Sequence, residues 1–187
     1  MKITGEQTIP ATPLRVWQAL NDPEVLRQSI PGCKSLERAG EHAFKATIET
    51  KIGPIKALFN GDVQLSDLDP PHGYTLSGRG SAGSMGAAKG SARVRLTPDG
   101  EGTKLTYDVD ADVTGKFAQL GSRLIQGTAN LLAGQFFTRF GEVVTSPEGI
   151  RVPSAAAKAG VPWWIWAMAA AAAIAAAAYY FLAVRGA

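Results

Sequence analysis

Hydrophobic and polar residues alternate with a period of two along much of the first two thirds of the chain. In the run 44–52, for example, Phe44 and Ala46 alternate with Lys45 and Thr47. Because successive side chains of a strand point to opposite faces, this pattern predicts strands with one apolar and one polar face. Such alternation predicts strands over residues 2–9, 44–52, 55–65, 74–82, 88–96 and 105–113. Turn residues between these runs favour an antiparallel meander with one face covered and the other in water.

Two short helices are predicted between the first strand and the meander. The first covers Leu14–Leu20, with Thr12 as its N-cap and Pro13 at its first position, where a backbone N–H is not needed. The second covers Glu24–Ser29 and ends before Pro31, since the residue preceding a proline disfavours helical geometry.

Between residues 116 and 144 the apolar residues recur at intervals of three, four or seven. This spacing is typical of a long helix with a wide apolar face. The residues that set it are Phe117, Leu120, Leu124, Leu131 and Phe140. Seven strands and one long helix bury their apolar surfaces together if the sheet curves around the helix. The sequence therefore predicts an α+β domain in which a curved antiparallel seven-stranded sheet surrounds a long C-terminal helix.

An uncharged apolar run, Trp163–Val184, follows near the end of the sequence. As a helix it would be about 33 Å long, enough to cross the roughly 30 Å hydrocarbon core of a bilayer. Aromatic residues at both ends and a final cation are expected at the two membrane interfaces; they are Trp163, Trp164, Trp166, Tyr179, Tyr180 and Arg185. We predict a domain over residues 1–145, a flexible linker rich in Pro, Gly, Ala and Ser over 146–160, and a transmembrane anchor over 161–187.

Charge and cysteine content narrow the possible partners and the compartment. The formal net charge is +3, and the Lys and Arg residues do not form clusters with interleaved aromatic residues, so nucleic acid is not an expected partner. The single cysteine, Cys33, excludes an internal disulfide and fits a reducing compartment. Arg151 and Lys158 lie on the domain side of the apolar run. This distribution favours a cytoplasmic N-terminal domain on a single-pass tail anchor in the cytoplasmic (inner) membrane.

Several short strings within residues 1–145 are distinctive in combination. They are LNDPE at 20–24, IPGC at 30–33 with SLE at 35–37, GP at 53–54, LDPP at 68–71 with GY at 73–74, AKGSA at 88–92 and GSRLI at 121–125. With these strings the sequence resembles the CoxG family of carbon monoxide dehydrogenase subunits, within the START-like (SRPBCC) superfamily. The resemblance implies a helix-grip fold and association with a molybdenum CO dehydrogenase or a related molybdenum hydroxylase. Many members of the family also carry a C-terminal membrane segment.

The residues with catalytic side chains do not form a recognisable catalytic or metal-binding pattern. His42 and His72 fall in polar turns outside any metal-ligand spacing, which favours surface histidines. Cys33 has no histidine or cysteine nearby in the sequence, so a packed small side chain is favoured over a nucleophile. We therefore expect no catalytic residues and no metal site.

Three aspartates, Asp108, Asp110 and Asp112, alternate along one predicted strand. A cation site is one interpretation, but the backbone turn of a calcium loop is missing. Arg93 and Arg95 lie on the preceding strand, where they can pair with the aspartates across the ladder. The favoured interpretation is a solvated face with cross-strand charge pairs.

Small residues recur at positions that are expected to face inward. The glycine-rich segment 78–86 lacks the Lys-Ser/Thr ending of a P-loop. Glycines such as Gly127 interrupt the predicted long helix, at a cost of roughly 1 kcal/mol each relative to Ala. The small residues either permit close helix–sheet packing or leave an apolar cavity, and the resemblance favours the cavity because START-like domains commonly enclose apolar ligands. The residues predicted to line its wall and mouth are Ile30, Phe59, Met85, Phe117, Leu120, Leu124, Gly127 and Leu131.

The sequence and the resemblance together favour a non-enzymatic adaptor. The anchor would hold the domain at the membrane lipid, and the domain would recruit the molybdenum enzyme. A quinone, either menaquinone or ubiquinone, is the expected apolar ligand, since it would carry electrons from CO oxidation to the respiratory chain. Two alternatives remain open: an assembly or maturation factor for the molybdenum enzyme, and a helix-grip enzyme that acts on an apolar substrate.

Overall fold

The computed structural model describes residues 1–146. Almost all of the predicted linker and the whole of the predicted anchor, including Trp163, Trp164, Trp166, Tyr179, Tyr180 and Arg185, lie outside the described residues. Within residues 1–146, no helix combines the length and the apolar character needed to cross a membrane.

Seven strands form one curved antiparallel sheet, as predicted. The strands are β1 (Lys2–Ile9), β2 (Cys33–Gly40), β3 (Ala43–Ile52), β4 (Ile55–Asp69), β5 (Gly73–Ser81), β6 (Ala87–Asp99) and β7 (Gly102–Val113). Their order in the sheet is β1-β7-β6-β5-β4-β3-β2, so the first strand pairs with the last one. The helices α1 (Pro13–Leu20) and α2 (Pro23–Ser29) therefore carry the chain from one edge of the sheet to the other.

The strand β2 is the one that alternation along the sequence does not locate. It lies at the edge of the sheet and pairs with β3 through two register shifts, between Cys33 and Ser35 and between Arg38 and Gly40. Each shift changes which face the following residues point to, so the period of two is lost over this short strand.

The two short helices begin as the sequence predicts, within one residue. The Thr12 side chain accepts a hydrogen bond from the backbone N–H of Arg15 at 3.5 Å, which confirms the predicted N-cap of α1. At α2 the side chain of Asp22 accepts a hydrogen bond from the N–H of Glu24 at 2.8 Å. Proline occupies the first turn of both helices, where its fixed φ favours helix initiation.

The predicted continuous helix over 116–144 is wrong in its first part. Residues Gly115–Leu120 form a 3-10 helix, and the long helix α3 covers Ser122–Thr145. Gly121 separates the two at φ +83°, a left-handed conformation that a helix cannot contain. Phe117 therefore does not extend a stripe along the long helix; it is buried (1% exposed) in the turn before it.

The hydrophobic core lies between the C-terminal half of α3, the helices α1 and α2, and one end of the concave sheet face. Phe140 and Val144 on α3 are fully buried there. The side chain of Arg15 donates from Nε to the carbonyl oxygen of Val144 at 2.8 Å and so binds an otherwise unpaired carbonyl at the end of α3. These contacts fix the C-terminal half of α3 against the rest of the domain.

Candidate functional site

The concave face of the sheet changes from large to small residues along its strands. On β5 the inward-facing residues pass from the buried Tyr74 to Gly78 and Gly80. Gly78 pairs with Gly90 and Gly80 with Ala88, so the small residues of β5 and β6 lie side by side. We call this region the open half of the concave face, comprising Gly78, Gly80, Ala88, Gly90 and Ala111. All five face inward yet remain only half-buried, which indicates space above them.

The glycines of the open half do not all have the same structural reason. A Cβ added to Gly90 would lie 2.5 Å from the carbonyl oxygen of Asp110, so this position requires glycine for backbone packing. A Cβ on Gly80 would lie 3.7 Å from Cδ1 of Phe59, an ordinary contact distance. Gly80 therefore leaves room that a side chain could occupy.

Three of the predicted site residues lie together at one end of the open half. The rings of Phe59 and Phe117 pack with their centroids 5.1 Å apart. Gly86, which follows Met85, sits against Phe117, because an added Cβ would lie 3.0 Å from its Cδ2. The half-buried Met85 thus joins the two phenylalanines at this end.

The remaining predicted site residues lie elsewhere. Leu124 is 40% exposed and packs over Gly53 in the turn between β3 and β4. Leu131 is 61% exposed, and an added Cβ on Gly127 would meet no atom within 4 Å. Leu120 ends the 3-10 helix, and Ile30 caps α2; both are half-buried. A ligand-binding role for these residues stays a prediction.

The face of α3 that continues into the core consists of different residues from those chosen in the sequence. Half-buried Ile125, Ala129 and Leu132 lie at helical spacing from Phe136 and the fully buried Phe140. They are the part of α3 that shares the inward face of the helix with the core. Counting back in steps of three and four from Phe140 would have found them, whereas following the leucines leads to Leu124 and Leu131.

Gly127→Ala should distinguish close packing from open space at this position of α3. Because an added Cβ meets nothing within 4 Å, we expect the variant to be more stable by up to about 1 kcal/mol, the difference in helix propensity. Gly90→Ala is the matched control and should destabilise, since its Cβ would clash with the carbonyl of Asp110. Urea denaturation measures both. A destabilised Gly127→Ala would show that Gly127 is closely packed after all.

Potential nucleophiles and bases have ordinary structural environments. Burial raises the pKa of the Cys33 thiol, whose Sγ lies 3.4 Å from the carbonyl oxygen of Ser35, so the thiol stays protonated at neutral pH. The exposed His72 lies 3.4 Å from Asp69 on the surface. Across residues 1–146, no three His, Cys, Asp or Glu side chains are grouped in a way that could hold a metal ion.

The predicted pairing of the strand aspartates is right in kind but differs in its partners. The carboxylate of Asp112 lies 3.9 Å from Nζ of Lys89, and that of Asp110 lies 3.6 Å from the N-terminal amine. Arg93 stands directly opposite Asp108, whereas Arg95 stands opposite Thr106, so the expected pairing of Arg95 with an aspartate is wrong. These side chains are exposed on the outer face of the sheet.

A trough of about 840 Å³ lies along this outer face. Its lining includes a row of charged residues in register across five strands, Lys45, Asp62, Arg79, Lys89 and Asp112. Opposite charges in this row lie close together, with 3.5 Å between Arg79 and Asp62. Because its charges are balanced and exposed, the trough favours water over an apolar ligand. The open half of the concave face is therefore the better candidate site.

Comparisons with known proteins agree on the domain. The family model that matches residues 5–145 is that of CoxG, described as a carbon monoxide dehydrogenase subunit. A conserved protein from Geobacillus kaustophilus, solved by crystallography, is 34% identical with a TM-score of 0.73, and the match covers 77% of this chain and 95% of that one. A search of curated proteins gave no match.

More distant solved structures share the fold. A protein from Thermus thermophilus is 21% identical with a TM-score of 0.55, and the match covers 78% of this chain and 100% of that one. A protein from Mycobacterium smegmatis is 15% identical with a TM-score of 0.58, covering 78% and 91%. At these identities the similarity shows the fold alone.

Proposed function

This chain belongs to the CoxG family, and we propose that it is a membrane-anchored adaptor that recruits a molybdenum CO dehydrogenase, or a related molybdenum hydroxylase, to the cytoplasmic membrane. The family is described by its association with CO dehydrogenase, as an accessory component rather than a catalytic one. Membership therefore links this chain to CO dehydrogenase. The recruitment, the anchor and any bound ligand are our proposal.

The observation that carries the ligand part of the proposal is the open half of the concave face. Small residues occupy paired inward positions on β5, β6 and β7, and they remain only half-buried. The aromatic pair of Phe59 and Phe117 borders this region. A surface of glycine, alanine and aromatic rings favours an apolar, flat-ringed ligand over a charged one.

A quinone fits this surface and the chemistry of the partner enzyme. Oxidation of CO to CO2 with water releases two electrons and two protons, and a quinone takes up two of each when it becomes a quinol. The aromatic rings would contact the quinone head, and the small residues would leave room for part of an isoprenoid tail. In this proposal the domain holds the quinone, and the redox chemistry belongs to the enzyme.

The anchor part of the proposal rests on the sequence, since residues 161–187 lie outside the described part of the chain. Deleting residues 161–187 should leave the domain folded, because the core and the sheet are complete within residues 1–146. The molybdenum enzyme should then move from the membrane to the soluble fraction, while its CO oxidation with an artificial dye persists. Cell fractionation with immunoblotting of both proteins measures the shift.

Circular dichroism of the truncated protein is the control for folding. A truncated protein that still pellets with membranes would contradict the anchor, and an enzyme that stays on the membrane after the adaptor is released would contradict recruitment. Mass spectrometry of the purified full-length protein tests the ligand. A bound quinone supports the proposal, whereas an empty domain that associates only with immature enzyme would favour an assembly factor.

A further inference from the structure

The hairpin between β3 and β4 exposes an apolar surface at its tip. Gly53, at φ +59°, makes the tight turn, and Pro54 next to it is exposed. Leu58 points outward from β4 and is 48% exposed. Leu124, on the first turn of α3, packs over Gly53 and keeps 40% of its surface exposed. Two large aliphatic side chains are thus exposed at the same end of the domain.

Cationic side chains surround this apolar surface. Lys51 and Lys56 stand directly opposite each other on β3 and β4. Like charges in this position destabilise a strand pair, so folding alone does not explain them. The exposed Arg123 adjoins Leu124 on α3. We call the six residues Lys51, Pro54, Lys56, Leu58, Arg123 and Leu124 the hairpin patch.

The nearby carboxylate balances only part of this charge. Glu49 lies 3.1 Å from Nζ of Lys56 and 3.7 Å from Nζ of Lys34. The two lysines hold the pKa of the Glu49 carboxyl below its usual value, so it is ionised at neutral pH. Lys34, Lys51, Lys56 and Arg123 together still exceed one carboxylate, and the end of the domain is basic.

We propose that the hairpin patch docks on the surface of an anionic lipid bilayer. Short aliphatic side chains ringed by lysine and arginine match the headgroup region, because the apolar groups enter the acyl boundary while the long cationic side chains reach the phosphates. Each such cation contributes a favourable interaction with an anionic leaflet. An acidic protein surface could use the same charges, but it would leave the exposed Pro54 and Leu58 without an apolar environment unless it offered a matching pocket.

Docking at this position would bring the open half of the concave face to the membrane. Phe59 directly follows Leu58 on β4, and its partner Phe117 lies just before α3. A lipid-soluble ligand would then enter from the bilayer at the aromatic end of the open half. This consequence rests on the proposed function, whereas docking itself does not.

The geometry of the chain allows the patch and the predicted anchor to contact the same membrane. Helix α3 has 24 residues, so its end at Thr145 is about 36 Å from its start beside the hairpin patch. The predicted linker over residues 146–160 spans at most about 50 Å when fully extended. It is therefore long enough to run back along the full length of α3.

The test places an environment-sensitive fluorophore on the patch of the full-length chain. Leu58→Cys is labelled with a nitrobenzoxadiazole maleimide in a Cys33→Ala background, and the protein is reconstituted into vesicles. Phosphatidylcholine vesicles are compared with mixed phosphatidylcholine and phosphatidylglycerol vesicles. We expect the emission to shift to the blue and to intensify in the anionic vesicles, and to return toward the aqueous value at high salt.

The matched variants separate patch docking from a general charge effect. Lys51→Gln with Lys56→Gln should lower the ratio of docked to undocked protein about thirtyfold. Arg93→Gln with Arg95→Gln removes the same charge near the opposite end of the sheet, where Arg95 pairs with Gly73, and should change little. Carbonate extraction of the same vesicles reports on the anchor separately, so failure of the anchor and failure of the patch are distinguishable.

Three outcomes would overturn the proposal. The label could stay in water in anionic vesicles, or the two double variants could behave alike. The label could also become protected only when the purified molybdenum enzyme is added, which would assign the patch to a protein partner.

Discussion

Phe140→Ala is expected to lower the free energy of unfolding by about 3–5 kcal/mol, the range for truncating a buried aromatic residue. Phe140 is fully buried, and its ring stacks on Phe136 with 5.5 Å between centroids. It lies where α3 meets the core, so the cavity left by truncation has rigid walls on both sides. Urea or thermal denaturation of the full-length protein measures the loss.

Leu131→Ala is the matched control on the same helix. Leu131 is 61% exposed, so we expect a change within about 0.5 kcal/mol. A loss at Leu131 comparable to that at Phe140 would mean that this side chain is covered in solution, and the placement of the inward face of α3 would then need revision.

Gly80→Leu should remove the apolar ligand while the domain remains stable. The new side chain would extend from the concave face beside Phe59, into the space that the ligand is proposed to occupy. Competition for this space at about 1–3 kcal/mol corresponds to a tenfold to hundredfold lower affinity. Stability should change little or increase, because glycine within a strand costs roughly 0.5–1 kcal/mol. Solvent extraction with mass spectrometry measures the ligand content, and a melting curve measures stability.

Ser77→Leu is the control for this substitution. Ser77 lies on the same strand but on the outer face, so the same side chain is added without entering the concave side. If both variants retained the ligand, the open half would not be its binding site. A Gly80→Leu protein with a strongly lowered melting temperature would indicate a closely packed position instead of open space.

The helix starts show how much local sequence can predict. Thr12 and Pro13 are an N-cap and a first-turn proline by local chemistry alone, and the structure has both in these roles. The strands with one covered face were also predictable, because burial on one side imposes a period of two on the sequence. The edge strand β2 could not be predicted in this way, since its register shifts reverse the direction of its side chains.

The candidate site was predictable in part. Phe59, Met85 and Phe117 do lie together, although the segment that carries Phe117 is a 3-10 turn and not the long helix. The chosen face of α3 was less informative, because the sequence contains two apolar stripes. One runs through Leu124 and Leu131, and the other runs through Ile125 and Leu132 to Phe140. Helical periodicity identifies both, and neither stripe carries a mark that says which one meets the sheet.

The sequence by itself determined the local elements, the α+β class and the family, because caps, periodicity and short strings are properties of neighbouring residues. The tertiary structure alone decided which stripe of α3 turns inward, and it decided whether a glycine leaves space or permits close packing. Gly80 and Gly90 are alike in sequence, yet an added Cβ would find ordinary contact at one and a carbonyl oxygen at the other. Such differences depend on atoms that are distant in the chain and close in space, and no local pattern records them.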